Sequence, residues 1–180
     1  MKRLLVAGAF LAASLAPAMA QQANADTVFL DTKNGRITIQ LRPDLAPKHV
    51  AQIKTLTKQG FYNGVPFHRV IPGFMAQTGD PTGTGTGGSD LPDVPAEFTQ
   101  TQFKRGTVGM ARSSDPNSAN SQFFICYEGC GPLTGQYTII GEVVGGMDAA
   151  DKIKKGTAAG NGMVSGPDKI VKMQLAADAK

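Results

Sequence analysis

The chain of 180 residues has no Trp, only two Cys and two His, and just 7% aromatic residues. Two thiols with no adjacent His fall short of the four closely spaced ligands of a structural zinc site. His49 and His68 lie far apart and fit no metal-binding spacing. The G-x-S-x-G pattern is absent, which excludes the nucleophile elbow of the serine hydrolases. No block of Lys and Arg occurs, so nucleic acid is a poor partner. The one extended apolar run, Leu4 to Leu15, is too short for a good membrane span.

That run reads instead as part of a secretory signal peptide at residues 1–20. Lys2 and Arg3 form its positive start, and Ala18-Met19-Ala20 is a small-x-small cleavage site before Gln21. The mature protein is therefore expected to be exported, to the periplasm, with no membrane attachment after cleavage. Loss of Lys2 and Arg3 also removes two charges from the formal net charge of +4.

What the sequence does have is 22 Gly, 11 Pro and many short apolar runs between turn signals, a composition that favours a β-rich fold. The remaining length of about 160 residues suits one domain with a single core. Residues 21–26 read as a flexible leader and residues 27–180 as that domain. Val28 and Leu30, then Ile37, Ile39 and Leu41, alternate as strands do, and Asn34-Gly35 between them is a favoured hairpin turn. A helix is predicted over Ala46 to Gln59, with Ala46, Val50, Ile53 and Leu56 on one stripe and Gly60 as its stop; His49 is expected to be solvated on it. Further strands are predicted near Glu97–Phe98 and over Thr107–Met110, Gln122–Cys126, Thr138–Val144 and Ile170–Leu175, with a second helix over Met147–Lys154. Many antiparallel strands and two helices fit a closed barrel plugged at its ends.

Two other features have a plain reading. Gly83 to Gly88 satisfies G-x-G-x-x-G, but Ser89-Asp90-Leu91-Pro92 follows where a dinucleotide site needs a helix, so a mobile surface loop is expected. Cys126 and Cys130 are four residues apart. An exported protein permits a disulfide, but the pair meets only if the chain folds back sharply, and a buried thiol at a strand end is the favoured reading.

The stretch Phe61 to Asp80, FYNGVPFHRVIPGFMAQTGD, sets Arg69 among Phe67, Phe74 and Met75 with Gln77 close behind. Pro66, Pro72 and Gly73 make it two short strands and a turn, not a helix. A second stretch, Phe103 to Gly141, contains GMARSSDPNSANSQFFI. Together they resemble the cyclophilin family of peptidyl-prolyl cis–trans isomerases, over about Thr27 to Leu175. The resemblance implies an eight-stranded antiparallel barrel capped by two α-helices, with no cofactor and no metal. It implies that proline-containing peptides and unfolded exported proteins are the partners, bound by a monomer.

By motif, the resemblance makes Arg69 the catalytic residue. Phe74, Met75, Phe124 and Leu133 match the apolar pocket for the proline ring, and Gln77 and Gln122 the groups that orient the arginine and the substrate carbonyl. Ala111 and Arg112 match the edge whose backbone binds extended peptide, with Arg112 where many members have Asn. Tyr137 stands where many eukaryotic members carry His, and Pro132 where they often have Trp. His68 is expected to be structural, and Phe123 and Ile125, which alternate with Phe124, to be core. A binding module or holdase chaperone using the same cleft would have no need of Arg69.

Overall fold

The computed structural model describes residues 25–157 and 159–179. The expected signal peptide and most of the leader lie outside the described residues. Asp26, the end of that leader, is fixed: its carboxylate takes Lys54 Nζ at 2.8 Å, and its carbonyl accepts from Leu41 N at 2.7 Å.

Strands β1 (Thr27–Thr32) and β2 (Gly35–Leu41) pair antiparallel and bury Val28, Leu30, Ile37, Ile39 and Leu41 on the face that alternation selects. Their loop is Lys33-Asn34, one residue before the expected Asn34-Gly35 turn, and Gly35 opens β2 at φ +127°. Thr32 Oγ1 closes this loop, accepting from Asn34 N and donating to Gly35 O.

Helix α1 (Pro47–Lys58) buries Val50, Ile53 and Leu56 as expected, with Gly60 following at φ +71°. His49, expected to be solvated, is fully buried. It stands four residues before Ile53 and seven before Leu56, so it belongs to the same stripe. Its partner comes from far along the chain. Glu97 accepts from His49 Nδ1 at 2.7 Å and from the amides of Lys48 and His49 at 3.2 and 3.1 Å. This carboxylate caps a helix whose own N-cap residue, Ala46, has nothing to offer. The expected strand near Glu97–Phe98 does not form. The segment between Pro92 and Thr101 is irregular, its prolines lacking ladder donors and Glu97 turned towards α1.

The other strands are β3 (Arg69–Ile71), β4 (Met75–Thr78), β5 (Thr107–Met110), β6 (Phe123–Cys126), β7 (Ile139–Gly145) and β8 (Ile170–Leu175). Among the described residues they form one antiparallel sheet in the order β3-β4-β6-β5-β7-β2-β1-β8. The sheet curls into a half-barrel, so the expected complete closure is corrected. Edges β3 and β8 meet through the bridge Pro66↔Lys169 and bonds such as Phe67 N to Asp168 O, 2.8 Å, without a ladder. β3 has three residues and Pro66 has no N–H, which leaves too little to pair. Helix α1 packs on β8, and the short α2 (Met147–Asp151), three residues shorter than predicted, packs on β2.

Phe123 and Ile125 of β6 join the large core inside the curl, as expected. Phe124 and Cys126 point the other way, into a second cluster with Met75, Phe103 and Ile139. Cys126 and Cys130 are disulfide-bonded, against the favoured buried thiol. The chain does fold back sharply at Glu128-Gly129, bringing the Cα atoms to 6.1 Å, and Gly129 N bonds Gly73 O at 3.2 Å to fix the return.

The Glu97–His49 tie makes stability depend on acid. Burial pushes His49 below the ordinary 6.5, with the bond to Glu97 acting against this. Burial opposes ionisation of Glu97, but the bonds from the His49 ring and from the His49 and Lys48 amides outweigh it and hold the carboxyl below 4.5. In both cases the unfolded chain binds a proton that the folded chain refuses, so stability falls as pH drops below each ordinary value. Glu97→Ala should lower unfolding free energy at pH 7 by about 1–3 kcal/mol, the loss of a cap and of a buried partner. Its denaturation midpoint should also depend less on pH between about 5 and 3. An unaltered acid limb would show that Glu97 is not part of it.

Candidate active site

The Phe61–Asp80 stretch folds as predicted, into β3 and β4 joined by a turn at Pro72-Gly73. Register then assembles the site. Arg69 pairs with Gln77, Gln77 with Phe124, and Phe124 with Gly109, so one residue from each of β3, β4, β6 and β5 lies in a single row. Directly opposed residues share a face. Gly109 is required in that row, because a Cβ there would come within 2.6 Å of the Phe124 ring and 2.8 Å of Phe103. With that space, Phe124 stacks on Phe103 at 5.9 Å and meets Tyr137 edge-on at 5.8 Å.

Arg69 is half-buried and held on three of its five N–H groups. Nη1 donates to Gln77 Oε1 at 3.2 Å, Nε to the Asn161 carbonyl at 3.0 Å, and Nη2 to Asn161 Oδ1 at 3.1 Å. One N–H on each terminal nitrogen is left over. Asn161 was missed from the sequence. It lies 92 positions away and is, among the described residues, the non-glycine residue at positive φ, +50°, a conformation Asn tolerates better than most. Only that tolerance, in an Asn-Gly pair, marked it.

Behind Arg69 runs a polar chain. Gln77 Nε2 donates to Gln122 Oε1 at 2.9 Å, and Gln122 Nε2 donates to the carbonyls of Gly85 and Gly87 at 3.1 and 2.8 Å. The amides of those glycines donate to buried Asp80, at 2.7 and 3.1 Å. Thr82 adds its amide and hydroxyl, and the hydroxyls of Thr82, Thr84 and Thr86 follow one another at 2.8 Å. Burial resists ionisation of Asp80, but the Thr82 hydroxyl and the Gly87, Thr82 and Gly85 amides prevail and bring its pKa to about 2. The G-x-G-x-x-G segment is a surface loop, as expected, yet it is tied down around Asp80. Its amides bind an anion, and that anion is the protein's own side chain.

Arg69, Phe74, Met75, Gln77, Ala111, Arg112, Phe124, Leu133 and Tyr137 line one cleft of about 290 Å³. Gln122 opens onto the adjoining polar pocket of about 520 Å³, between Ser89, Asp93, Ser113 and Asn120. The cleft also takes in His68, Thr84, Thr86 and Met163, which were not foreseen as lining it. Leu133 reaches it on a 3-10 turn, Gly131–Leu133, that starts at Cys130, so the disulfide anchors this wall. Pro132 lies exposed on the same turn. His68 is buried, and burial pushes its imidazole below the usual range despite the opposing pull of Asp80. Among the described residues no group of three or more His, Cys, Asp or Glu is placed to hold a metal. Chemically, the cleft offers a tethered cation with two spare donors beside an apolar wall.

Residues 27–175 match the model of the cyclophilin type peptidyl-prolyl cis-trans isomerase/CLD family. A probable peptidyl-prolyl cis-trans isomerase of Brucella suis is 57% identical over 98% of this chain and 96% of its own length. A peptidyl-prolyl cis-trans isomerase of Helicobacter pylori is 40% identical over 71% of this chain and 79% of its own. Among solved structures, a cyclophilin type isomerase of Cryptosporidium parvum, crystallised in the presence of the dipeptide Ala-Pro, superposes with a TM-score of 0.75. It is 29% identical, over 83% of this chain and 98% of that one. A cyclophilin from Hirschia baltica gives a TM-score of 0.76 at 29% identity, over 87% and 76%. Fold, matched residues and full-length relatives agree, and this chain belongs to the cyclophilin-type peptidyl-prolyl cis–trans isomerases.

Proposed function

We infer that Arg69 is the catalytic group of this isomerase, and that it works as an exported, cofactor-free monomer on X–Pro bonds of unfolded periplasmic proteins. The amino-terminal pattern around Lys2, Arg3 and Ala18-Met19-Ala20 supports export. The relative crystallised with Ala-Pro supports a proline peptide as ligand. The observation that carries the reading is the tether on Arg69, three N–H groups fixed by Gln77 and Asn161 and two left facing the cleft.

Rotation about an X–Pro bond must interrupt amide resonance, and in the twisted state the proline nitrogen regains a lone pair. A guanidinium held to donate to that nitrogen favours the twisted state over either planar one, which is differential binding. Phe74, Met75, Phe124 and Leu133 hold the ring. The Ala111 N–H already donates to Gln122 O at 2.9 Å, so any main-chain contact from Ala111 to the peptide falls to its carbonyl. An acceleration of four to five decades needs about 6–7 kcal/mol. A charge-assisted hydrogen bond in a desolvated cleft supplies about half, and positioning the rest.

Arg69→Ala should cut kcat/KM by two or more decades, about 3 kcal/mol of transition-state stabilisation, with the melting temperature nearly unchanged. Arg69→Lys should rescue poorly, since one ammonium cannot serve Gln77, Asn161 and the substrate with a planar fork's geometry. A folded Arg69→Ala protein that keeps most of its activity would overturn the assignment.

Turnover should be nearly flat from about pH 6 to 8.5, because arginine stays charged there and the reaction asks no acid–base pair to work. The check is kcat/KM across the window; steep limbs would reveal a general acid or base.

Cyclosporin-type cyclic peptides should inhibit this protein about 30- to 1,000-fold less well than relatives with Trp at the Pro132 position, for want of an indole face and its donor. Wild type and Pro132→Trp should be titrated side by side. Nanomolar inhibition of the wild type would refute this.

A further inference from the structure

Arginines 36, 42 and 105 are neutralised by carboxylates, respectively Asp31, Asp44 with Glu142, and Asp151. Arg69 and Arg112 have no carboxylate partner among the described residues, and both line the cleft. Arg112, like Arg69, is held by neutral oxygens. Its Nη1 donates to Ser113 O at 2.9 Å and its Nη2 to Gln136 O at 3.0 Å. The guanidinium lies 4.5 Å from the Tyr137 ring centroid and 5.9 Å from that of Phe98, while Nε is buried without a partner. These contacts fix the fork without cancelling its charge, and each terminal nitrogen keeps one N–H for a ligand.

Its place in the site gives that charge a purpose. Ala111 and Arg112 line both the apolar cleft and the polar pocket, and with Gln77, Gly85 and Thr86 they form the boundary between them. With the proline ring on Phe124 and its nitrogen at Arg69, the preceding residue is one Cα step of about 3.8 Å away, within the cleft that Arg112 also lines. The one carboxylate lining the polar pocket, Asp93, already accepts from Asn120 Nδ2 at 3.0 Å.

We propose that Arg112 makes this isomerase prefer an acidic residue immediately before proline and disfavour a basic one. The proposal rests on the catalytic reading of Arg69 given above. Charge pairs at a solvent-exposed rim are modest, so the expected ratio of kcat/KM between Glu-Pro and Lys-Pro peptides is about three- to tenfold at low salt. It should shrink in about 0.5 M salt.

The test uses the mature protein and four peptides that differ only in Glu, Gln, Ala or Lys before proline. Isomer exchange is followed by NMR, so no helper protease imposes its own selectivity. The wild type should rank Glu first and Lys last, Arg112→Gln should bring the Glu:Lys ratio close to one, and Arg112→Glu should invert it. Arg112→Lys keeps the charge and should keep the order at a smaller ratio, which tests the idea even if the neutral variant folds poorly. Normal turnover of the Ala-Pro peptide with a wild-type Glu:Lys ratio near one would overturn this proposal alone. Absence of Ala-Pro turnover would instead overturn the catalytic reading. A wild-type ratio retained in Arg112→Gln would place the preference on another residue and remove Arg112.

Discussion

The site depends on the pairing register of β3, β4, β6 and β5. Arg69, Gln77, Phe124 and Gly109 come from four strands and share one row because each is directly opposite the next. Strand side chains alternate with period two, so a slip of one residue in any pair would send a member of that row to the opposite face. The same alternation gives β6 two roles. Phe123 and Ile125 fill the large core, while Phe124 and Cys126 build the outer cluster beneath the cleft. Core packing therefore fixes the site's register, since Phe124 cannot turn inward without expelling two buried neighbours.

On this row stands a polar framework that immobilises one cation. Arg69 is gripped by Gln77 from within the sheet and by Asn161 from a loop outside it. Gln77 is fixed by Gln122, Gln122 by the Gly85 and Gly87 carbonyls, and those peptides by the carboxylate of Asp80. Each oxygen that Arg69 donates to belongs to a neutral group, which holds the guanidinium in place without competing for it as a carboxylate would. The buried negative charge is set several bonds back, where it polarises the chain of donors and acceptors.

Much of this was legible in the sequence. Period-two apolar residues located β1 and β2, the helical stripe located α1 to within a residue at each end, and two long motifs named the cleft residues. Local chemistry sufficed there, because alternation and capping are set by neighbours a few positions apart. The motif residues nominated by resemblance do meet in one cleft and its adjoining pocket.

Tertiary structure decided what depends on partners distant in the chain. His49 sits on the apolar stripe of α1, but whether a histidine can be buried there depends on Glu97, 48 positions away. The Gly/Thr loop looks mobile until Asp80 is seen to accept its amides. Cys126 and Cys130 pair because the return of the chain at Gly129 is fastened to Gly73, a contact that no spacing of cysteines announces. Closure of the barrel was overstated because the lengths of edges β3 and β8 are settled by which donors remain at their meeting point. Local sequence settled most of the elements and set Arg69 among Phe67, Phe74 and Met75. The fold determined the grip on that arginine, because Asn161 reaches it only across 92 residues of chain.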